Sequence, residues 1–407
     1  MDKGGGLCYN IFIKLQEMIL MAFDLKEFQK DLAHNKVYNA WQYVESLCEI
    51  ISYMTASYEL IENVYNHRVN TLKSKEQEIM QKAVATGKAT VTENDFHCTD
   101  LSIAGVEIDD ILYLKKTTIE FFHYARISID ILFQIINAAL FGDDGFDDSD
   151  RNLITEVNRK LDGITSFSNL KSKLDAIKVD DTFKYLQAFD NYNKHIKTIL
   201  VSIKNSFLIG NNCEFTIKAF SYTDWNGTCQ YGDEDALTKI REVKNYVELL
   251  VDDILAEIQQ QIPNCLDNSS RIQNIKYKMQ FKETEKGEML DYMSFFIEVE
   301  KDISELPGEI KVLPLIVKPN DEIYSFDFRF DKIFIKPKGS EEKAENIIGY
   351  ATLKNPTSSN EFYRTFTVTP CDHTEYIKYL LTFKDTYSGK FNMNIYAMEG
   401  TMLFYKE

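Results

Sequence analysis

Three side chains near the middle of the chain combine groups suited to acid–base chemistry. In the segment YLQAFDNYNKHIKTIL, Asn191, Lys194 and His195 stand at positions i, i+3 and i+4, a spacing that brings side chains together on one side of a helix. They offer an imidazole that titrates near neutral pH, a cation and a neutral amide. This set predicts an acid–base centre or a ligand-binding site. The structural alternative is a histidine that is hydrogen-bonded across helices or lies at the surface.

A second polar set follows one face of an apolar segment, EFFHYARISIDILFQIINAALFG, residues 120–142. Its members recur at steps of three or four residues, which return to one face of a helix; they are His123, Arg126, Asp130, Gln134 and Asn137. The stripe contains an intrahelical pair of Arg126 with Asp130 on a solvent or inter-helix face, or it lines a polar site between packed helices. If it is buried, its charges need partners because an unpaired buried charge is strongly destabilising. In that case Asn191 or His195 are the candidate partners.

The motifs of several common enzyme classes are absent from the sequence. We find no GxxxxGK[ST], GxGxxG, HExxH or GxSxG pattern, so nucleotide-hydrolase, dinucleotide-binding, zinc-protease and α/β-hydrolase functions lack support. The seven cysteines are widely spread and include no CxxC pair, which excludes a regular zinc ribbon and argues against a disulfide framework. We therefore expect no cofactor, no metal site and a cytoplasmic location.

Length and charge set further limits. The 407 residues exceed what one hydrophobic core usually serves, so we expect two domains. The formal charge is 46 minus 63, or −17, and such an acidic protein attracts nucleic acid only through a local basic patch. The apolar stretch IFIKLQEMILMAF contains Lys14 and Glu17 and is too short to span a bilayer, so we expect no membrane attachment.

Apolar periodicity places both polar sets on helices. Helical spacing extends over about residues 8–90, 107–141, 181–207 and 235–261, and the second and third of these stretches carry the two sets. The aromatic segment CEFTIKAFSYTDWNGTCQYGD contains an Asn-Gly turn at residues 226 and 227, which predicts a short β-hairpin near residues 213–230.

Beyond Pro263 the period changes from helical to alternating. Segments such as IQNIKYKMQFKET, EIKVLPLIV and KFNMNIYAM alternate apolar and polar residues and are separated by turn formers, the pattern of an antiparallel sheet or sandwich. The predicted fold class is therefore α+β. An α-helical domain occupies residues 1–265, and an antiparallel β domain occupies residues 266–407.

Two segments carry a resemblance to a known family. FFHYARISIDILFQIINAALF and the later YLQAFDNYNKHI resemble the two central helices of the HEPN-like superfamily, the helical domains named for higher eukaryotes and prokaryotes nucleotide binding. The resemblance is to an uncharacterised bacterial branch with an Asn-x-x-Lys-His helix. It covers residues 107–207 and does not extend to the β domain.

The resemblance implies an antiparallel helical bundle, a homodimer formed through the same helices and, in many members, a metal-independent ribonuclease site. That site places an arginine before a histidine, with four to six residues between them. In this chain the corresponding positions hold Asp190, Phe189 and Ala188. On this interpretation His195 is the general acid or base, Arg126 or Lys194 supplies the cation, and Asn191 completes the catalytic set.

Three functions follow as hypotheses. The first is a non-catalytic, ligand-sensing or interaction protein in bacterial defence or stress response. In it Asp130, Gln134 and His123 bind a ligand such as RNA or a nucleotide, and the β domain docks a protein partner. The second is the metal-independent ribonuclease, as a toxin or defence effector. The third is a polar network that only fixes helix register. Because the arginine is missing and the charge is −17, the first is our leading expectation.

Overall fold

The structure of this mixed α+β protein is a computed structural model with helices before a C-terminal sheet. It describes residues 23–35, 37–92, 101–103, 105–141, 146, 153–206, 212–224, 227–265, 272–284, 289–317, 323–325, 332–341, 343–354, 364–370, 374–378 and 391–405. The predicted α+β class is therefore confirmed. The chain divides into two compact units, Met1–Gln29 with Ala40–Cys265, and Lys30–Asn39 with Leu266–Glu407.

Besides a short helical segment at residues 374–378, the described ranges contain seven α-helices. They are α1 (Leu25–His34), α2 (Tyr38–Thr86), α3 (Asp110–Phe141), α4 (Leu153–Lys160), α5 (Ser168–Val179), α6 (Asp181–His195) and α7 (Ala236–Cys265). Short strands lie between them: β1 (Leu101–Ile103), β2 (Val106–Ile108), β3 (Val201–Ser206), β4 (Asn212–Ile217), β5 (Phe220–Asp224), β6 (Gly227–Tyr231) and β7 (Glu234–Asp235).

Helix α3 is the central helix of the first unit. It contacts α4, α6, α7 and β3, and most of its apolar side chains are buried. Its length and composition would also allow it to cross a membrane, but 67% of the relevant window is buried inside the protein. The core helix of a soluble domain has the same length, apolar composition and burial.

A buried ion pair ties the start of α3 to α2. The Asp109 side chain caps the helix by accepting a hydrogen bond from Leu112 N at 2.8 Å, and Asp110 follows in the first turn. Arg68 on α2 donates from Nη1 to both Asp110 oxygens at 2.6 and 2.7 Å. Their side chains are only 1% and 2% exposed, so each charge depends on the other to offset its lost hydration.

The third predicted helix ends earlier than residue 207. The Asn193 side chain accepts a hydrogen bond from Ile199 N and donates one to Phe189 O, both at 2.9 Å, so it binds the chain as it leaves the helix. The β-branched residues that follow form β3, which pairs with β4. The predicted hairpin corresponds to β5 and β6, paired from Phe220–Tyr231 to Asp224–Gly227. Part of its Asn-Gly turn, Asn226, lies outside the described residues.

The second unit is built on one eight-stranded sheet. Its strands are β8 (Ile272–Thr284), β9 (Met289–Val299), β10 (Glu309–Val317), β11 (Ile323–Ser325), β12 (Lys332–Pro337), β13 (Gly349–Leu353), β14 (Arg364–Pro370) and β15 (Phe391–Tyr405). The strand order is β11-β10-β14-β13-β12-β9-β8-β15, and β15 also pairs with β10. Seven strands therefore form a closed ring, and β11 extends one side of β10.

Closure explains why the prediction of a wholly antiparallel sheet is wrong. A ring with an odd number of strands cannot have every neighbour antiparallel, because the strand direction would not match when the ring closes. The parallel pair is β9 with β12, and the other described pairings are antiparallel. The predicted sandwich alternative is replaced by this single closed sheet.

Both faces of the sheet near β9 carry buried apolar residues. Phe295, Ile297 and other residues from β10, β12, β13 and β14 form one cluster. Because β10 and β12 are not neighbours, this cluster lies across the inside of the ring. Phe296 points to the opposite face and belongs to a second cluster with Tyr376. On the parallel pair, buried Lys336 contacts Glu298 at 2.8 Å.

Replacing Arg68 by Met should lower the free energy of unfolding by about 3–5 kcal/mol, because it leaves Asp110 as an uncompensated buried charge. Urea denaturation of the full chain, followed by far-UV circular dichroism, measures this loss. Arg68→Met combined with Asp110→Leu should recover much of it. The control is Lys116→Met, which breaks the exposed pair with Glu120 and should cost at most about 0.5 kcal/mol. Equal losses in the two single variants would contradict a structural role for the buried pair.

Candidate functional site

A buried carboxylate joins α3 and α6. Asp190 lies in the middle of α6 with its side chain 5% exposed. Asp180 caps the start of the helix, and its side chain accepts hydrogen bonds from Thr182 N and Phe183 N at 2.8 and 3.0 Å. Apolar packing fixes the depth of the carboxylate, because the Phe189 ring lies 4.1 Å from that of Phe122 on α3.

Two positively charged or titratable groups contact this carboxylate. His123 on α3 places Nδ1 2.9 Å from Asp190 Oδ1, and Lys194 on α6 places Nζ 2.7 Å from Asp190 Oδ2. The His123 and Lys194 side chains are 39% and 41% exposed. Both groups are therefore anchored on their inner side and open to solvent on their outer side.

Arg126 and Asp130 form an adjoining pair on α3. Arg126 Nη1 donates to Asp130 Oδ1 at 2.5 Å, and the guanidinium lies 5.5 Å from the centre of the Phe183 ring, within reach of a cation–π interaction. The predicted intrahelical pair of Arg126 with Asp130 is therefore confirmed, and neither Asn191 nor His195 contacts these two charges in the described structure. The two charges satisfy each other because they stand one helical turn apart.

The carboxyl of Asp130 has a perturbed pKa. Loss of hydration raises the pKa of the Asp130 carboxyl and nearby Asp190 adds to the effect, whereas Arg126 and Lys194 oppose it. Yet the Asp130 side chain is 45% exposed. The Asp130 carboxyl therefore combines a raised pKa with access to solvent. We call His123, Arg126, Asp130, Asp190 and Lys194 the α3/α6 site.

The remaining predicted residues are not joined to this site by contacts. His195 is exposed at the end of α6, whereas Asn191 and Gln134 are half-buried. Within the described ranges, none of the three makes a side-chain hydrogen bond. Asn137 is buried and has a structural role, because its amide group exchanges two hydrogen bonds of 2.9 Å with the backbone of Phe146.

The central residue, Asp190, was missed by sequence reasoning. It was considered only as one of the positions where the family pattern would place an arginine. A local signal did exist, since Asp190 and Lys194 stand at i and i+4 on a helix, the favourable order for such a pair. The contact with His123 joins residues 67 positions apart, and helical periodicity carries no information on such a pairing.

The arrangement suits proton exchange and ligand binding. A buried carboxylate that holds one imidazole nitrogen sets the ring orientation and leaves the other nitrogen available to a ligand. In the described part of the chain, no group of three or more His, Cys, Asp or Glu side chains is placed to hold a metal ion.

Comparisons with known proteins concern the second unit. Residues 273–406 match the model of a family described as a domain of unknown function (DUF8310). No curated protein and no solved structure matches the chain. The match covers the closed sheet and leaves the helices that carry the α3/α6 site outside it.

Neutral His123 should carry its proton on Nδ1, because an ionised Asp190 accepts from that nitrogen. Long-range proton–nitrogen correlation spectra of nitrogen-15 histidine-labelled protein at alkaline pH identify the tautomer, with His123→Gln providing the assignment. In Asp190→Ala the Nδ1–H preference of His123 should disappear while the His195 signals keep their positions. An Nε2–H tautomer in the unsubstituted protein would contradict the contact.

Proposed function

We propose that this chain is a ligand-sensing protein whose helical unit binds a small polar ligand at the α3/α6 site. The observation that carries the proposal is the double contact of Asp190 with His123 and Lys194. Two solvent-accessible polar groups are held in place before any ligand arrives, and such preorganisation lowers the entropic cost of binding.

The charges of the site favour binding over phosphoryl chemistry. Arg126 and Lys194 are each paired with a carboxylate, so the five residues sum to zero charge while His123 is neutral. Cleavage of RNA without a metal needs a cation directed at the developing phosphorane charge. The carboxylate paired with each cation offsets part of the stabilisation that the cation would give to that charge, and His195 has no contact within the described residues that would hold it as an acid or base.

In the wider proposal, α3 and α6 are central helices of an antiparallel HEPN-like bundle. The resemblance of their sequences to that superfamily supports this, as does the packing of α3 against α6. The protein acts in the cytoplasm as a homodimer, without membrane attachment, in bacterial defence or stress response. The β domain, which has its own family match, docks a protein partner.

The alternative is a metal-independent ribonuclease, favoured by the contact between His123 and Asp190. An imidazole oriented by a buried carboxylate is a frequent acid–base arrangement in enzymes. In this alternative His123 takes the role that the sequence predicted for His195. Lys194 then stabilises the charge that develops on the phosphate.

Total RNA incubated with the purified protein in chelator should stay intact on a gel, and His123→Ala and His195→Ala should give the same pattern. Cleavage that is lost only in His123→Ala would replace the sensing proposal by the nuclease at the α3/α6 site. Cleavage that is lost only in His195→Ala would support the histidine predicted from sequence.

A thermal-shift screen of nucleotides, amino acids and short peptides tests ligand sensing directly. At about 100 times its Kd a ligand stabilises the folded state by about 2.7 kcal/mol, which should raise Tm by a few degrees for a domain of this size. Lys194→Met should reduce the shift, whereas the exposed control Lys116→Met should retain it. The proposal fails if every compound shifts Lys194→Met as much as the unsubstituted protein.

A further inference from the structure

We propose that the α3/α6 site binds an oxyanion together with one proton, which His123 carries. This inference rests on the proposed ligand-sensing function and names the ligand class and the condition under which the ligand binds. The oxyanion is a phosphate-type or carboxylate group, and the proton makes its binding depend on pH.

The first step is the orientation of the imidazole. Asp190 Oδ1 lies 2.9 Å from His123 Nδ1, and a carboxylate oxygen accepts the hydrogen of that nitrogen. Nε2 has no partner within the described part of the chain, and the side chain is 39% exposed. The free nitrogen of the ring is therefore the one available to a ligand.

The protonation state of His123 decides whether Nε2 is a hydrogen-bond acceptor or a donor. In neutral His123 the proton is on Nδ1, so Nε2 carries a lone pair and repels the lone pairs of an oxyanion. Protonation turns Nε2 into an N–H donor while the inner hydrogen bond to Asp190 remains. An oxyanion therefore binds the protonated form, and the anion and the proton favour each other.

Lys194 supplies a second donor at the same place. Its Nζ lies 2.7 Å from Asp190 Oδ2, so Lys194 and His123 flank one carboxylate group. An ammonium has three N–H groups, and this one is 41% exposed. One oxyanion can thus contact both side chains on the solvent side of Asp190.

The charge balance points the same way. With neutral His123 the α3/α6 site has no net charge, and protonation makes it +1. The overall charge of −17 repels anions, so the local positive charge of protonated His123 favours anion binding at this site. The charged groups joined by contacts at the site come from two helices: Arg126 and Asp130 from α3, and Asp190 and Lys194 from α6. Elsewhere on α3 Lys116 pairs with Glu120, and on α2 Glu49 accepts a hydrogen bond from the Tyr53 hydroxyl, whose ring contacts Tyr124 next to His123.

Among these types of group, histidine is the one that ordinarily changes charge between about pH 6 and pH 8. Burial raises the pKa of Asp130, so Asp130 needs its own control. Asp130→Asn removes that titration and leaves His123, Asp190 and Lys194 in place. The pH dependence of anion binding should persist in this variant.

The experiment is isothermal titration calorimetry of the full chain at about pH 6, 7 and 8, in two buffers of different ionisation enthalpy and at constant ionic strength. Sulfate is the phosphate-like probe and acetate the carboxylate probe, and neither changes charge over this range. The affinity for the preferred probe should fall with rising pH by up to about tenfold per unit. The buffer dependence of the heat should show proton uptake on binding.

Single substitutions show which residue causes the pH dependence of anion binding. His123→Gln should bind the preferred anion with an affinity that no longer changes with pH. Lys194→Met should weaken anion binding at every pH. The affinity should still fall with rising pH, because His123 remains to carry the proton. His195→Gln, altered at the exposed end of the same helix, should behave as the unsubstituted protein.

Three results would overturn the inference: equal affinities at pH 6 and pH 8, an unchanged slope in His123→Gln, or no detectable anion binding at pH 6. If a compound from the thermal-shift screen binds at the site without proton uptake, the proposed function stands and this inference fails. If neither that screen nor calorimetry finds a ligand, both fail.

Discussion

The carboxylate of Asp190 is the constraint on which the face between α3 and α6 depends. A carboxylate that is 5% exposed must be compensated by positive charge and hydrogen bonds, because its lost hydration is otherwise strongly destabilising. Helix α6 supplies Lys194 one turn later, and α3 supplies His123 from across the interface. The neighbouring rings of Phe122 and Phe189 hold the two helices at the separation that these contacts require.

This constraint accounts for one of the polar residues that interrupt an otherwise apolar core helix, and the others have their own partners. His123 serves Asp190, Arg126 and Asp130 serve each other, and Asn137 holds the chain at Phe146. The residues share one face because helical geometry returns them to it. They nevertheless do three different things, so a shared face is weaker evidence for a shared site than a shared contact.

The same distinction shows what the sequence could predict. Apolar periodicity predicted α3 and the alternating segments of the β domain, and the i, i+4 spacing predicted that Arg126 can pair with Asp130 within its own helix. The change from helix to strand after His195 depends on one side-chain contact, from Asn193 to Ile199. Ring closure depends on β15 pairing with both β8 and β10. These contacts join parts of the chain whose mutual placement no periodicity specifies, and the choice between His123 and His195 is of that kind.

Two other buried ion pairs show how the partners of Asp190 differ from those of a purely structural pair. Arg68 and Asp110 enclose each other, and Lys336, 3% exposed at its side chain, meets Glu298 across the parallel strand pair. In these two pairs the positive group is hidden, so the pair orients its elements and has no donor to offer a ligand. At Asp190 the carboxylate is also buried, but His123 and Lys194 both reach solvent. Register could be fixed by one enclosed partner, as in the other two pairs. The presence of two accessible partners on one buried carboxylate is therefore the feature that a structural role alone does not require.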